Sequence, residues 1–264
     1  KDRVALSMLR TAEAEGRLEK GGMVIEPTSG SAGIGLAFVG AAKGYRVVLT
    51  MPDNVNLERR NLLRALGAEL VLTPARLGMQ GAIDKADGLA KERPGAYLPD
   101  QFRNPANPEA HRQTTAQEIL RDTEGQVDIF VAGVGTGGTL TGVGEVLKAH
   151  NPAVRVVAVE PADSPVLSGG KSGPHGLAGL GAGFRPPVLN TEVYDEVIPV
   201  RSDEAYGACR KIAGDEALLL GMSSGAALFA ATALARRAEN RGKTIVAVMP
   251  DTGERYLSTN LFWD

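Results

Sequence analysis

Seven short runs rich in Val, Ile and Leu recur along the chain, at 23–26, 46–51, 69–73, 127–132, 155–160, 196–200 and 244–249. They are continuous rather than alternating, the pattern of parallel strands covered on both faces. Helical stretches separate them, at 32–43, 57–66, 109–121, 140–150, 203–215 and 225–239. This β-α alternation predicts an α/β fold built on parallel sheets. Gly44 and Gly67 follow two of the helical stretches, where a glycine cap is common. At roughly 150 residues per domain, a length of 264 residues predicts two domains. The Pro- and Asn-rich stretch 99–108 is the expected boundary. The segment 161–190 reads as a long irregular connection, of a kind usually tied to function.

Three clusters join a strand to a helix through small residues. They are Glu26-Pro27-Thr28-Ser29-Gly30-Ser31-Ala32-Gly33, Gly133-Val134-Gly135-Thr136-Gly137-Gly138-Thr139 and Gly221-Met222-Ser223-Ser224-Gly225. The chain has 33 glycines, well above the average of about 7%. Glycine lets backbone approach a ligand closely, and N–H groups at a helix head attract anions. Tight turns with Ser or Thr caps would explain any one cluster equally well; three together favour an anionic ligand. The second cluster also satisfies the dinucleotide fingerprint, Gly133-x-Gly135-x-x-Gly138, with Glu160 ending the next strand 22 residues later at the expected spacing. Against a dinucleotide, Gly137 and the flanking Thr136 and Thr139 suggest a cup for a single phosphate, so the ligand stays open on these residues alone.

Composition narrows the classes. Lys and Arg number 29 and Asp and Glu 31, which gives no nucleic-acid or anionic-membrane footprint. Cys209 is the single cysteine, so neither an intrachain disulfide nor a cysteine metal cluster forms; no metal is expected. No apolar run reaches the roughly 20 residues of a membrane span, and nothing at the start reads as a signal peptide. A cytoplasmic protein is the expectation. His111, His150 and His175 lack a ligand spacing and are expected in surface or capping roles. Cys209 is expected as a small buried residue rather than a nucleophile. Leu57-Glu58-Arg59-Arg60 is expected as a solvated helix start, and Trp263 in interface or core packing.

Taken together, Lys1-Asp2-Arg3, Pro27-Thr28-Ser29-Gly30, Gln101-Phe102 with Asn104-Pro105-Ala106-Asn107-Pro108, and Gly135-Thr136-Gly137-Gly138-Thr139 resemble cysteine synthase. The same holds for 164–170, 179–184, Ser223-Ser224-Gly225 and Gly253-Glu254-Arg255-Tyr256. This family, O-acetylserine sulfhydrylase, belongs with the tryptophan-synthase-β-like enzymes that use pyridoxal 5'-phosphate (PLP). The resemblance implies PLP fold type II: two parallel-sheet α/β domains with the cofactor cleft between them. It places a smaller, mobile domain at 1–105, carrying Lys1 and the Pro-Thr-Ser-Gly loop. A larger one at 106–264 carries the phosphate cup and Ser223.

The residue roles follow from the resemblance. Lys1 would form the Schiff base with PLP and then remove the substrate α-proton, which requires a lowered pKa. Gly135, Thr136, Gly137, Gly138 and Thr139 would hold the phosphate, and Ser223 the pyridine nitrogen. A neutral hydroxyl there makes the ring a weaker electron sink than a carboxylate would, favouring β-elimination. Thr28, Ser29, Gly30 and Gln101 would bind the substrate carboxylate, and a loop with Gly179 and Gly181 would shift on closure. The implied reaction is a two-stage β-replacement, O-acetyl-L-serine and sulfide giving L-cysteine and acetate, with ping-pong kinetics. The resemblance also implies a homodimer, and docking of the C-terminal tail of serine acetyltransferase in the active-site cleft. Cystathionine β-synthase-type condensation of serine with homocysteine is the nearest alternative. An NAD-dependent oxidoreductase and a non-catalytic homologue that binds serine acetyltransferase are the remoter ones.

Two departures stand out. Ser31 and Ala32 occupy the positions of an Asn and a Thr in the family's Thr-Ser-Gly-Asn-Thr-Gly, where the Asn contacts the cofactor ring hydroxyl. Ser31 is shorter and lacks amide donors, so a loosened carboxylate site or a changed substrate is weighed against neutral drift. The family also carries a few dozen residues ahead of its Lys-Asp-Arg, so an upstream segment is expected to be missing from this sequence.

Overall fold

The chain divides into two compact units, Lys1–Asn107 and Pro108–Asp264, in a computed structural model that describes residues 1–28 and 30–263. In the first unit, β1 (Met23–Pro27), β2 (Arg46–Pro52) and β3 (Glu69–Thr73) form a parallel sheet in that order. Ile25 lies opposite Val48, and Leu49 opposite Leu70. Between and around them run α1 (Asp2–Ala14), α2 (Ser31–Lys43), α3 (Leu57–Ala65) and α4 (Gly78–Glu92). Gly44 closes α2 at φ 77°, a left-handed conformation that glycine adopts without steric cost. Residue 97 extends the other edge of β1: Ile25 N donates to Tyr97 O at 2.9 Å and Tyr97 N to Met23 O at 2.8 Å.

Helices α1 and α4 were not among the expected elements. Helix α1 buries Val4, Ala5, Met8, Leu9 and Ala12, spaced along one helical face.

In the second unit the strands are β4 (Ile129–Gly133), β5 (Arg155–Pro161), β6 (Glu196–Val200) and β7 (Ile245–Ala247). All pair in parallel, in the order β6-β5-β4-β7. The two-residue strand period sends Phe130, Ala132, Val156 and Ala158 into one core, with Leu140, Val143 and Leu147. Ile129, Val131, Val157 and Val159 enter another, with Ala226, Ala230 and Leu234. Both faces are therefore buried in the central strands, which is why they read as continuous apolar runs. The expectation fails at the edges: β3, β6 and β7 are mostly half-buried or exposed, because only one neighbour covers each.

The expected helix 109–121 is interrupted. It comprises α5 (Ala106–Ala110), which spans the boundary between the units, a π-helical turn His111–Thr115, and α6 (Ala116–Asp122). Then come α7 (Gly138–His150), α8 (Ser202–Glu216) and α9 (Met222–Ala235). No regular helix or strand lies between β5 and β6, as the composition of 161–190 implied. Among the described residues, no helix is long and apolar enough to cross a membrane.

Candidate functional site

Lys1 stands immediately before α1 and serves as its N-cap. The residue is only partly buried, while its amino group is withdrawn from water, and that desolvation lowers its pKa from 10.5 to about 8. Helix α2 packs against its backbone. A β-carbon on Gly35 would lie 2.8 Å from Lys1 O and 3.0 Å from Lys1 C. Gly35 was missed in the sequence, where it is one glycine among several in α2.

The strand β1 delivers the next group. Thr28 is buried and its Oγ1 accepts from Gly30 N at 3.2 Å. Gly30 is the N-cap of α2 and Ser31 its first residue, followed by the buried Ala32. Ser29 lies outside the described residues. Gln101 is buried and comes to the same strand end: its Nε2 donates to Pro27 O at 3.3 Å. Holding it there is Glu26, fully buried in β1, whose carboxylate accepts from Asp100 N at 2.9 Å and Gln101 N at 3.0 Å. Burial pushes Glu26 up to about 8 despite these two donors. Glu26 was read only as part of a glycine cluster, because its partners lie 74 and 75 positions away.

The cup of the second unit forms at the junction of β4 and α7. Gly137 caps α7 with φ 84°, and Gly138 N donates to Thr136 Oγ1 at 3.3 Å. The amides that open α7 are donors without intrahelical acceptors, which suits an anion. The loop with Gly179 and Gly181 lies against this cup. A β-carbon on Gly135 would stand 2.3 Å from Gly179 O, and Gly181 N donates to Val134 O at 3.0 Å. Gly179 (φ 93°) faces Ser223, whose Oγ would be 3.6 Å from a β-carbon there. Ser223 sits in the first turn of α9, 5% exposed, and its hydroxyl has no hydrogen-bond partner among the described residues. The hydroxyl is thus left available to donate to, or accept from, a ligand. The glycine cradle, the helix head and this hydroxyl fit a phosphate ester joined to a ring with a nitrogen acceptor, so PLP suits the residues present.

Several sequence expectations change. His111 is buried rather than superficial: Nδ1 is 2.8 Å from Thr115 Oγ1 and Nε2 3.1 Å from Thr139 Oγ1. His111 opens a π-helical turn, an irregularity frequent near functional sites. Glu160 does not present a free carboxylate to a ribose, since it accepts from Leu167 N, Ser168 N and Ser168 Oγ. Arg59 is buried, not solvated. Trp263 is 60% exposed and its indole N–H donates to Leu257 O, so it packs in no core. Cys209 is buried as expected, and burial pushes its thiol up to about 11.

A family model described as pyridoxal-phosphate dependent enzyme matches residues 1–251. The chain is 57% identical over 263 residues to the cysteine synthase of Staphylococcus aureus (strain N315), covering 99% of this chain and 84% of that protein. It is 46% identical to the cysteine synthase (OASS) of Entamoeba histolytica in its crystal structure, with a TM-score of 0.95 over 99% of this chain and 77% of that one. Against the crystal structure of O-ureido-L-serine synthase it shows 47% identity and a TM-score of 0.95, over 99% and 82% of the two chains.

Proposed function

The chain belongs to the pyridoxal-phosphate-dependent enzyme family, and we propose that it makes L-cysteine from O-acetyl-L-serine and sulfide, releasing acetate. When bound, PLP supplies an electron sink conjugated to the α-carbon of the amino acid. The chain's own residues bind, orient and move protons. Lys1 anchors the cofactor, takes the proton from Cα and returns one before cysteine leaves. That task needs a neutral amine near physiological pH, and a pKa of about 8 supports it. This desolvated lysine is the observation that carries the reading.

Gly135 to Thr139 hold the phosphate, with Thr139 oriented by His111. The Ser223 hydroxyl would hold the ring nitrogen without the charge a carboxylate would bring. Thr28, Ser29, Gly30 and Gln101 would take the substrate carboxylate, and Ser31 would stand in for the family Asn that contacts the cofactor ring hydroxyl. The Cβ–O bond breaks with its electrons on the departing acetate, and hydrosulfide forms the Cβ–S bond. Gly179 and Gly181 give the adjoining loop the freedom to shift as substrate enters. A homodimer, docking of a serine acetyltransferase tail in the active-site cleft and a cytoplasmic setting belong to the same reading, and the family resemblance supports them.

The test is L-cysteine formation by the PLP-loaded protein and by Lys1→Ala. Wild type is expected to turn over only with both O-acetyl-L-serine and sulfide present. Lys1→Ala is expected to be inactive while still melting in a cooperative transition. Equal turnover by the two proteins would overturn the assignment.

A further inference from the structure

Glu26 poses a question that the reaction itself does not answer. A fully buried carboxylate in a strand is expensive unless it is paired, yet Glu26 forms no ion pair among the described residues. It accepts from the backbone N–H groups of Asp100 and Gln101, at 2.9 and 3.0 Å, and the Gln101 side chain adds a weaker contact. The titratable groups that act on it, or that it acts on, offer no compensation: the Asp100 carboxylate repels it and Tyr97 is neutral. An apolar side chain would fill the same place in β1 at lower cost. What it would not do is bind the two successive amides of a turn whose first residue, Asp100, is held at φ 50°.

The turn carries Gln101, and the strand that carries Glu26 runs on through Pro27 to Thr28. Gln101 closes the connection by donating from Nε2 to Pro27 O. From the other side, Asn107 Nδ2 donates to Gln101 O at 2.8 Å and Asn104 Nδ2 to Pro99 O at 2.8 Å. Both segments assigned above to the substrate carboxylate are thus tied at one buried side chain.

We propose that Glu26 is a positioning residue for the substrate carboxylate, fixing the Asp100–Gln101 turn to the end of β1 so that Gln101 and Thr28 present their donors together. The proposal rests on the assignment of Gln101 and Thr28 to that carboxylate. Either charge state can accept both amides, the carboxylate through two equivalent oxygens and the acid through its carbonyl and hydroxyl oxygens, whereas an amide at the same place accepts through one oxygen only and turns an N–H₂ toward the second donor.

The experiment is Glu26→Gln, alone and with Gln101→Ala, read by amide hydrogen exchange and by steady-state kinetics of the PLP-loaded protein. Glu26→Gln is expected to speed exchange at the Asp100 and Gln101 amides about tenfold, the equivalent of one hydrogen bond of about 1.4 kcal/mol. It is expected to raise KM for O-acetyl-L-serine by a similar factor, leaving KM for sulfide unchanged. In the double variant, Gln101→Ala is expected to hide the kinetic effect of Glu26→Gln. Unchanged exchange at both amides, or kinetic losses that multiply in the double variant, would overturn the proposal. Should Glu26→Gln fail to fold, wild type still decides: its Asp100 and Gln101 amides are expected to be protected at least about 100-fold over exposed loop amides, and unprotected amides contradict the proposal. If wild type protects them but does not turn over O-acetyl-L-serine, the functional assignment fails instead.

Discussion

A β-carbon on Gly35 would stand 2.8 Å from the carbonyl oxygen of Lys1, so α2 packs directly against the backbone of the lysine proposed to carry the reaction. The neighbouring atoms, Lys1 C at 3.0 Å and Asp2 N at 3.2 Å, are also backbone and cannot swing aside. Gly35→Ala must therefore displace Lys1 or the helix beneath it. A misplacement approaching about 1 Å costs up to about 10²-fold in rate, and overpacking costs about 1–3 kcal/mol in stability. Turnover and thermal melting of Gly35→Ala check both; wild-type kcat in this variant would mean that the contact does not set the position of Lys1.

The lowered pKa of Lys1 fixes a pH window. Its amine is half neutral near pH 8, so PLP incorporation into the cofactor-free chain is expected to accelerate up to about that pH and then level off. An ordinary lysine would keep accelerating toward 10.5. Stability carries the matching sign. Between pH 8 and 10.5 the unfolded chain binds more protons at this site than the folded one, so its contribution rises with pH across that window and is lost as pH falls through 8. Melting of cofactor-free wild type against Lys1→Met across the window isolates that slope.

The Ser223 hydroxyl makes no hydrogen bond among the described residues, so Ser223→Ala should cost the cofactor-free chain little, within about 0.5 kcal/mol. The loss should appear on PLP binding instead, at about 1 kcal/mol or roughly fivefold in Kd, the worth of one hydrogen bond. Denaturation of the free chain and titration with PLP separate these two. A destabilised free chain with unchanged PLP affinity would assign the hydroxyl to the protein interior.

Ser31 opens α2 directly after the Gly30 cap, and Ala32 beside it is buried. Restoring the family residues in Ser31→Asn, Ala32→Thr is expected to lower KM for O-acetyl-L-serine by about tenfold, the worth of about one recovered hydrogen bond. Steady-state kinetics decide, and unchanged parameters would make the two substitutions neutral.

Local signals made much of this fold readable. The strands at 69–73 and 196–200 and the helix closed by Gly44 stand where runs of Val, Ile and Leu and a capping glycine put them. Helix α4 escaped because its buried face is mostly alanine, Ala82 and Ala86 with Leu89, and it includes Gly78, Gly81 and Gly88, which are poor helix formers. The site divides along the same line. The glycine clusters announce themselves because a backbone that must approach a ligand needs glycine in consecutive positions. Glu26, Gly35 and His111 do not, since each acts through a partner brought close only by tertiary packing: Gln101, Lys1 and Thr139. A lone Glu, Gly or His carries no trace of such a partner. Arg59 failed for the opposite reason, its charged run suggesting solvent where the fold buries it.

The most direct test of the central claim is the visible spectrum of the PLP-loaded protein, recorded before and after O-acetyl-L-serine and again after sulfide. One experiment then probes the lysine, the cofactor and the substrate together. O-Acetyl-L-serine alone is expected to shift the cofactor band and release acetate, and sulfide to restore the original band as L-cysteine appears. A band that does not respond to O-acetyl-L-serine, with no acetate and no cysteine formed, would contradict the claim.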